Sequence, residues 1–181
     1  ADAAVEANPD PSGENTSDTV VRSTKTEGAQ FFAGTAMTLD VPIDLSESES
    51  ISIKTWSPKA DIPVRLKLEG SAGEVLELDV NTTVTNQWET LTWDFTGQTG
   101  EVEWLTVVLF FEFVVDLPGD GSTYYYDDIQ VAAPEEELLE LPVDFESTTI
   151  DYNLLLFEPA DASVEANPAP SGENTTDTVV R

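Results

Sequence analysis

"IPVRLKLEGSAGEVLELDV", from Ile62 to Val80, decides how this chain folds. Ile62, Val64, Leu66 and Leu68 alternate with Arg65, Lys67 and Glu69; beyond the turn "GSAGE", Leu76, Leu78 and Val80 alternate with Glu77 and Asp79. A period of two puts apolar groups on one face and charges on the other, as a strand half-buried on a core requires; a helix would spread them around its axis. Two such runs joined by a short Gly-containing link predict an antiparallel hairpin.

The pattern continues in both directions. Ile51 and Ile53 are set against Ser52 and Lys54, and Leu91, Trp93 and Phe95 against Thr90, Thr92 and Asp94. "GDGSTYYYDDIQV", residues 119–131, supplies a turn and a final strand in which Tyr125, Ile129 and Val131 are expected to share one face. "WLTVVLFFEFVV", from Trp104 to Val115, is apolar in both phases and reads as a buried strand, being well short of the roughly twenty residues a membrane-crossing helix needs. No stretch of helical period rivals these. The expected fold is all-β: an antiparallel jelly-roll β-sandwich.

The chain also repeats itself. "ADAAVEANPDPSGENTSDTVVR" at Ala1–Arg22 returns as "ADASVEANPAPSGENTTDTVVR" at Ala160–Arg181, an offset of 159, with changes confined to Ala4/Ser163, Asp10/Ala169 and Ser17/Thr176. An ungapped match at the spacing of a whole domain predicts one unit of a tandem array followed by the start of another. The expected boundaries are a unit over 1–131, an acidic Pro/Glu connector over 132–140 ("AAPEEELLE"), and the next unit from Leu141. On that register a sandwich over 1–131 lacks its first strand segment, the counterpart of Leu141–Pro159. Its place is filled by a preceding unit, by strand donation from a neighbouring copy, or by wrap-back of the chain.

Composition excludes several functions. Seven Lys and Arg face 36 Asp and Glu, a formal net charge of −29, which repels nucleic acid and anionic membrane surfaces alike. Cys and His are both absent, so thiol nucleophiles, disulfides, Ser-His triads and histidine-bearing zinc sites are excluded. Paired carboxylates for glycoside hydrolysis remain formally available, but no spacing singles out a pair, and the chain is read as non-enzymatic.

"LPVDFES", "ANPDPSGENTSDTVVRSTKTEGAQFFAG", "PIDLSESESISIKTWSPKADIPVRLKLE", "VNTTVTNQWETLTWDF" and "YYYDDIQV" carry a family resemblance over nearly the whole period. They resemble an accessory module found beside laminarinase-like glycoside hydrolases and in large secreted proteins of marine bacteria, similar to family 4 and related galactose-binding-like carbohydrate-binding jelly rolls. The resemblance implies polysaccharide binding or service as a structural spacer, outside the cell or on its surface. Where that family often has Trp after "AQ", this chain has Phe31 and Phe32. Related jelly rolls hold a structural Ca²⁺ near their first and last strands. That implies Asp127 and Asp128, with Asp10, Asn15 and Asp18 from the polar loop and Glu146 from the unit-opening strand, as calcium ligands. Asp127 is expected in the core phase, where an unpaired carboxylate is costly.

Sugar faces need flat aromatic rings for the C–H face of a pyranose and polar side chains for its hydroxyls. Trp56 continues the outward phase of Lys54, and Arg65 and Lys67 occupy the outward phase of the next alternating segment. These four, with Trp88 at a strand start, are the carbohydrate-binding candidates; the cations are equally placed to pair across strands with Glu77 and Asp79. Trp93, Trp104, Phe110, Phe111 and Phe113 read as packing. The near-identical repeat favours an extracellular structural or adhesive module strung into a stalk or fibre with neighbouring copies as partners. The alternative is a non-catalytic carbohydrate-binding module that targets a β-glucan-like polysaccharide for an attached glycoside hydrolase.

Overall fold

The computed structural model describes residues 1–46, 48–132, 164–167 and 178–180. The chain divides into two compact units, Ala1–Pro134 and Glu135–Arg181. Among the described residues the first carries β1 (Asp2–Ala7), β2 (Thr19–Thr24), β3 (Thr35–Ile43), β4 (Ser50–Trp56), β5 (Pro63–Gly70), β6 (Val75–Asn81), β7 (Trp88–Asp94), β8 (Trp104–Phe111) and β9 (Thr123–Val131). The second carries β10 (Val164–Ala166) and β11 (Thr178–Val180). The expected connector beyond Ala132, and the segment from Leu141 to Ser163 with Glu146, lie outside the described residues.

The first unit is a two-sheet antiparallel β-sandwich. One sheet has the order β1-β2-β9-β4-β7 and the other β3-β8-β5-β6. The hairpin anticipated at Ile62–Val80 is β5–β6, with Leu66 opposite Leu78 and Arg65 opposite Asp79. Its alternation works as the pattern requires: Val64, Leu66 and Leu68 are wholly buried, and they meet Ile51, Ile53, Leu91, Trp93 and Phe95 from the facing sheet. Burying each such side chain is worth about 1.5–3 kcal/mol. The Trp93 indole N–H also donates to the Val64 carbonyl at 3.1 Å, so a polar group in mid-core is satisfied by joining the two sheets.

β9 departs from the expected phase. Tyr124 and Tyr126 are buried and Tyr125 faces outward, while Ile129 and Val131 pack toward the core. A bulge lies between these halves. Ser52 and Lys54 of β4 pair with Gln130 and Asp127, so the register shifts, and Asp128 takes a positive φ of 47°. One extra residue reverses the alternation. Asp127 therefore shares Tyr125's outward phase rather than that of Ile129. It is half-buried and accepts a hydrogen bond from the Asn15 amide at 3.1 Å, which removes the burial cost that had argued for a metal there.

The long apolar run also ends earlier than its composition suggests. β8 stops at Phe111, where Glu112 adopts a φ of 51°, although the Phe113 N–H still donates to the Pro63 carbonyl of β5 at 3.0 Å.

In the second unit β10 and β11 form an antiparallel hairpin pairing Val164 with Val180, Glu165 with Val179 and Ala166 with Thr178. In the first unit Val5 pairs with Val21, Glu6 with Val20 and Ala7 with Thr19. Each residue of the later hairpin is the 159-shifted counterpart of one in the earlier, so both copies of the repeated sequence adopt one register.

Candidate functional site

The outward face of the β3-β8-β5-β6 sheet gathers the aromatic and charged groups that could meet a ligand. Arg65 on β5 lies between Phe110 of β8 and Asp79 of β6. All three alternate with core residues, so the strand period alone points them outward. The Arg65 Nε and Nη2 donate to the two Asp79 oxygens at 2.7 and 2.8 Å, and Nη1 to Glu77 at 3.1 Å. This planar fork holds the guanidinium 3.9 Å above the Phe113 ring, a cation–π stack. Hydrogen bonding to Asp79, partly opposed by desolvation, raises the Arg65 pKa further.

Four rings continue from that point in edge-to-face contact: Phe110 to Phe113 at 5.5 Å, Phe113 to Phe31 at 5.3 Å and Phe31 to Phe32 at 5.1 Å. Phe32, at the open end, is 54% exposed. Local backbone features fix these rings. Gly34 lies against β8 so closely that a Cβ there would sit 2.5 Å from Phe110 Cδ1 and from the Leu109 carbonyl oxygen. Lys25, nearly fully buried, extends its ammonium to the carbonyls of Phe31 at 3.2 Å, Phe111 at 3.3 Å and Glu112 at 2.6 Å. One cation thus ties the β2–β3 loop, which bears Phe31 and Phe32, to the segment that bears Phe110 and Phe113. Burial lowers the Lys25 pKa. A cleft of about 240 Å³, lined by Ala29, Gln30, Phe31, Asp116, Leu117 and Pro118, adjoins the cluster.

The candidates expected from sequence do not form one patch. β4 and β5 are consecutive, yet they belong to different sheets, so Lys54 and Trp56 face away from one side of the sandwich and Arg65 and Lys67 from the other. Lys54 pairs with Asp128 at 2.7 Å, and Lys67 with Glu69 at 2.7 Å. Trp56 is half-buried, edge-on to Tyr125 with centroids 5.5 Å apart, and its buried indole N–H finds no acceptor among the described residues. Trp88 sits under the β1–β2 loop at 7% exposure, donating to the Asp10 carbonyl at 2.9 Å, and is a packing residue. Phe113, expected as packing, instead lies under the guanidinium, with Phe110, likewise expected as packing, edge-on to Phe113. The available signal was the phase of Phe110, opposite to Leu109 and Phe111, which the apolar character of both phases concealed.

The polar loop is bound up in its own structure. Asn15, wholly buried, donates to Asp127 and accepts from the Ser17 amide at 3.0 Å. Asn8 donates to the Ser17 carbonyl at 2.9 Å and accepts from the Asp10 amide at 2.9 Å, and Asp18 is exposed. No group of three or more acidic side chains that could hold a metal occurs among the described residues. A calcium site at Asp127 would draw on main-chain and loop oxygens together with Glu146, which lies outside the described residues.

No protein-family model matches the chain, and no curated protein matches it significantly. Solved structures do. An exo-β-agarase matches at 14% identity over 74% of this chain and 22% of its own, with a TM-score of 0.51. The family 11 carbohydrate-binding module of a cellulosomal cellulase of Clostridium thermocellum matches at 14% over 74% and 85%, with a TM-score of 0.46. TmCBM61, in complex with β-1,4-galactotriose, matches at 13% over 73% and 82%, with a TM-score of 0.45. The chain has a β-sandwich fold matching carbohydrate-binding modules at low sequence identity, and at such identity the likeness is one of fold.

Proposed function

We propose that the chain is a non-catalytic carbohydrate-binding module whose ligand face is the Phe31–Phe32–Phe113–Phe110 cluster beside Arg65. The observation that carries this is the chain of rings ending at the guanidinium that Asp79 and Glu77 hold over Phe113. Rings take the C–H face of a sugar, and the fixed guanidinium and carboxylate rim offers donors and acceptors to its hydroxyls. A neutral β-linked polysaccharide suits a chain of net charge −29 better than an acidic one. The module would then work outside the cell or at its surface, targeting an attached hydrolase.

Titration of the chain with soluble β-glucans and β-galactans, by calorimetry or affinity electrophoresis, tests this. Phe32→Ala and Phe113→Ala should each weaken binding about tenfold, the loss of an anchor worth somewhat more than 1 kcal/mol. Trp56→Ala should leave it unchanged. Failure of the parent chain to bind any such glycan, or sensitivity confined to Trp56, overturns the assignment.

A second reading, a structural unit of a tandem array, is favoured by the shared hairpin register of the two copies. Calcium belongs with this reading as a reinforcement that depends on Glu146. On that account chelator lowers the melting temperature of the chain, and Glu146→Gln abolishes the difference; equal melting of the parent with and without chelator removes the metal.

A further inference from the structure

Among the described residues the sandwich is open along one seam. β3 pairs with β8 on one side and, among the described residues, with no strand on the other. β9 pairs with β2 through Thr123–Tyr126, and its remaining residues, Asp127–Val131, have β4 on one side and no described strand on the other. Between these two free edges runs a cleft of about 240 Å³ lined chiefly by Met37, Leu39, Ile43, Ile51, Ile129 and Val131. Met37 and Val41 are 38% and 72% exposed although they continue β3's apolar alternation. A second cleft of about 290 Å³ shares Ile43 and Asp44 with the first and reaches Trp104, whose buried indole N–H finds no acceptor among the described residues. Paired free edges flanking an apolar trough are the geometry that accepts an added β-strand.

We propose that this seam is filled by a second copy of the chain, entering as a β-strand through its residues 141–147, "LPVDFES". The occupant follows from the repeat. Both copies of the repeated sequence form one hairpin in one register, and on the repeat reading the segment of alternating sequence that precedes the hairpin within the period is Leu141–Ser147. Its period matches the trough: Leu141, Val143 and Phe145 form the apolar phase, and Pro142, Asp144 and Glu146 the phase left to water. Pro142 suits the first residues of an edge strand, where no ladder N–H is required of it. Because a strand inserted this way links one copy's sandwich to the next copy's hairpin, the contact is head-to-tail and extends into a chain of copies unless it closes. This inference rests on the structural-repeat reading and is independent of glycan binding.

The absence of cysteine makes the test direct. Full-length Met37→Cys and full-length Val143→Cys are mixed under mild oxidation and resolved on a non-reducing gel, with circular dichroism confirming that each folds. Met37 is partly exposed, so its replacement leaves the core intact. A disulfide-linked species of twice the chain mass, formed by the mixture well above the level in either variant alone and lost when Ile129→Asp is added to the Met37→Cys chain, is the expected result. No mixed species overturns the proposal. A Met37→Cys/Val143→Cys double variant that cross-links only within single chains overturns it as well, because the seam is then closed by its own chain. Glycan titration of the same variants separates the two readings: strand exchange can fail while sugar binding persists, and the reverse.

Discussion

At the scale of single residues, the stability of the sandwich is most exposed at a buried charge network. Lys59 bonds Glu112 at 2.6 Å and Asp120 at 2.8 Å, while the Tyr124 hydroxyl lies 3.3 Å from the other Glu112 oxygen. The Glu112 side chain is 8% exposed and that of Lys59 30%. Removing the cation strands a carboxylate in the interior, which costs far more than the pair contributes. Lys59→Met is expected to lower unfolding free energy by about 2–3 kcal/mol, below the fully buried case because Lys59 is partly solvated; a urea midpoint measures it. Burial, reinforced by the Glu112 charge, pushes the Tyr124 phenol up to about 12. Between pH 10 and 12 the native state therefore keeps a proton that the unfolded chain loses, so the stability present below pH 10 falls as pH rises through that window. Tyr124→Phe should remove this part of the alkaline loss, on the order of 2 kcal/mol, and a melting temperature that falls less steeply above pH 10 in the variant than in the parent checks it.

At the scale of elements, the ligand face depends on how the β2–β3 loop meets the end of β8. Gly34 permits that contact, since a Cβ would collide with both the Leu109 carbonyl and the Phe110 ring. Gly34→Ala should destabilise the fold by about 1–3 kcal/mol through overpacking and, by displacing Phe110, weaken glycan binding as well. A glycan affinity equal to the parent's in this variant would separate Phe110 from the ligand face. The β1–β2 loop has a comparable keystone. Asn15, buried and bonded to both Asp127 and the Ser17 amide, anchors the loop that covers Trp88. Asn15→Ala should cost about 1–3 kcal/mol because it leaves buried polar partners unpaired, visible as a lowered melting temperature.

At the scale of the whole molecule, charge separates the two proposed activities. Copies of a chain with net charge −29 repel one another, and added salt screens that repulsion within about 10 Å at 0.1 M. Association through the β3/β9 seam should therefore strengthen as salt rises, measured by sedimentation, whereas binding of a neutral glycan to the Phe/Arg65 face should change little. Parallel salt responses of the two would mean that they report a single event.

The sequence by itself determined the strands from β4 to β7 and β9, because a period of two is written in those segments and needs no partner to be read, and β8 from its unbroken apolar run; β1 and β2 carry no such pattern and are not legible in it. Ile62–Val80 became β5–β6 as expected, and the 159-residue repeat reappeared as two hairpins of one register. Tertiary structure alone decided which strands face each other across the core. β4 and β5 are neighbours along the chain but fall in opposite sheets, so Trp56 and Arg65, which share an outward phase, look in opposite directions. The bulge at Asp127–Asp128 is likewise set by pairing with β4, and it reversed the face of Tyr125 without altering a letter of the alternation. Local patterning fixes whether a side chain points in or out; the outside to which it points is chosen by long-range pairing, whose free energy comes from contacts between segments that the linear sequence keeps apart.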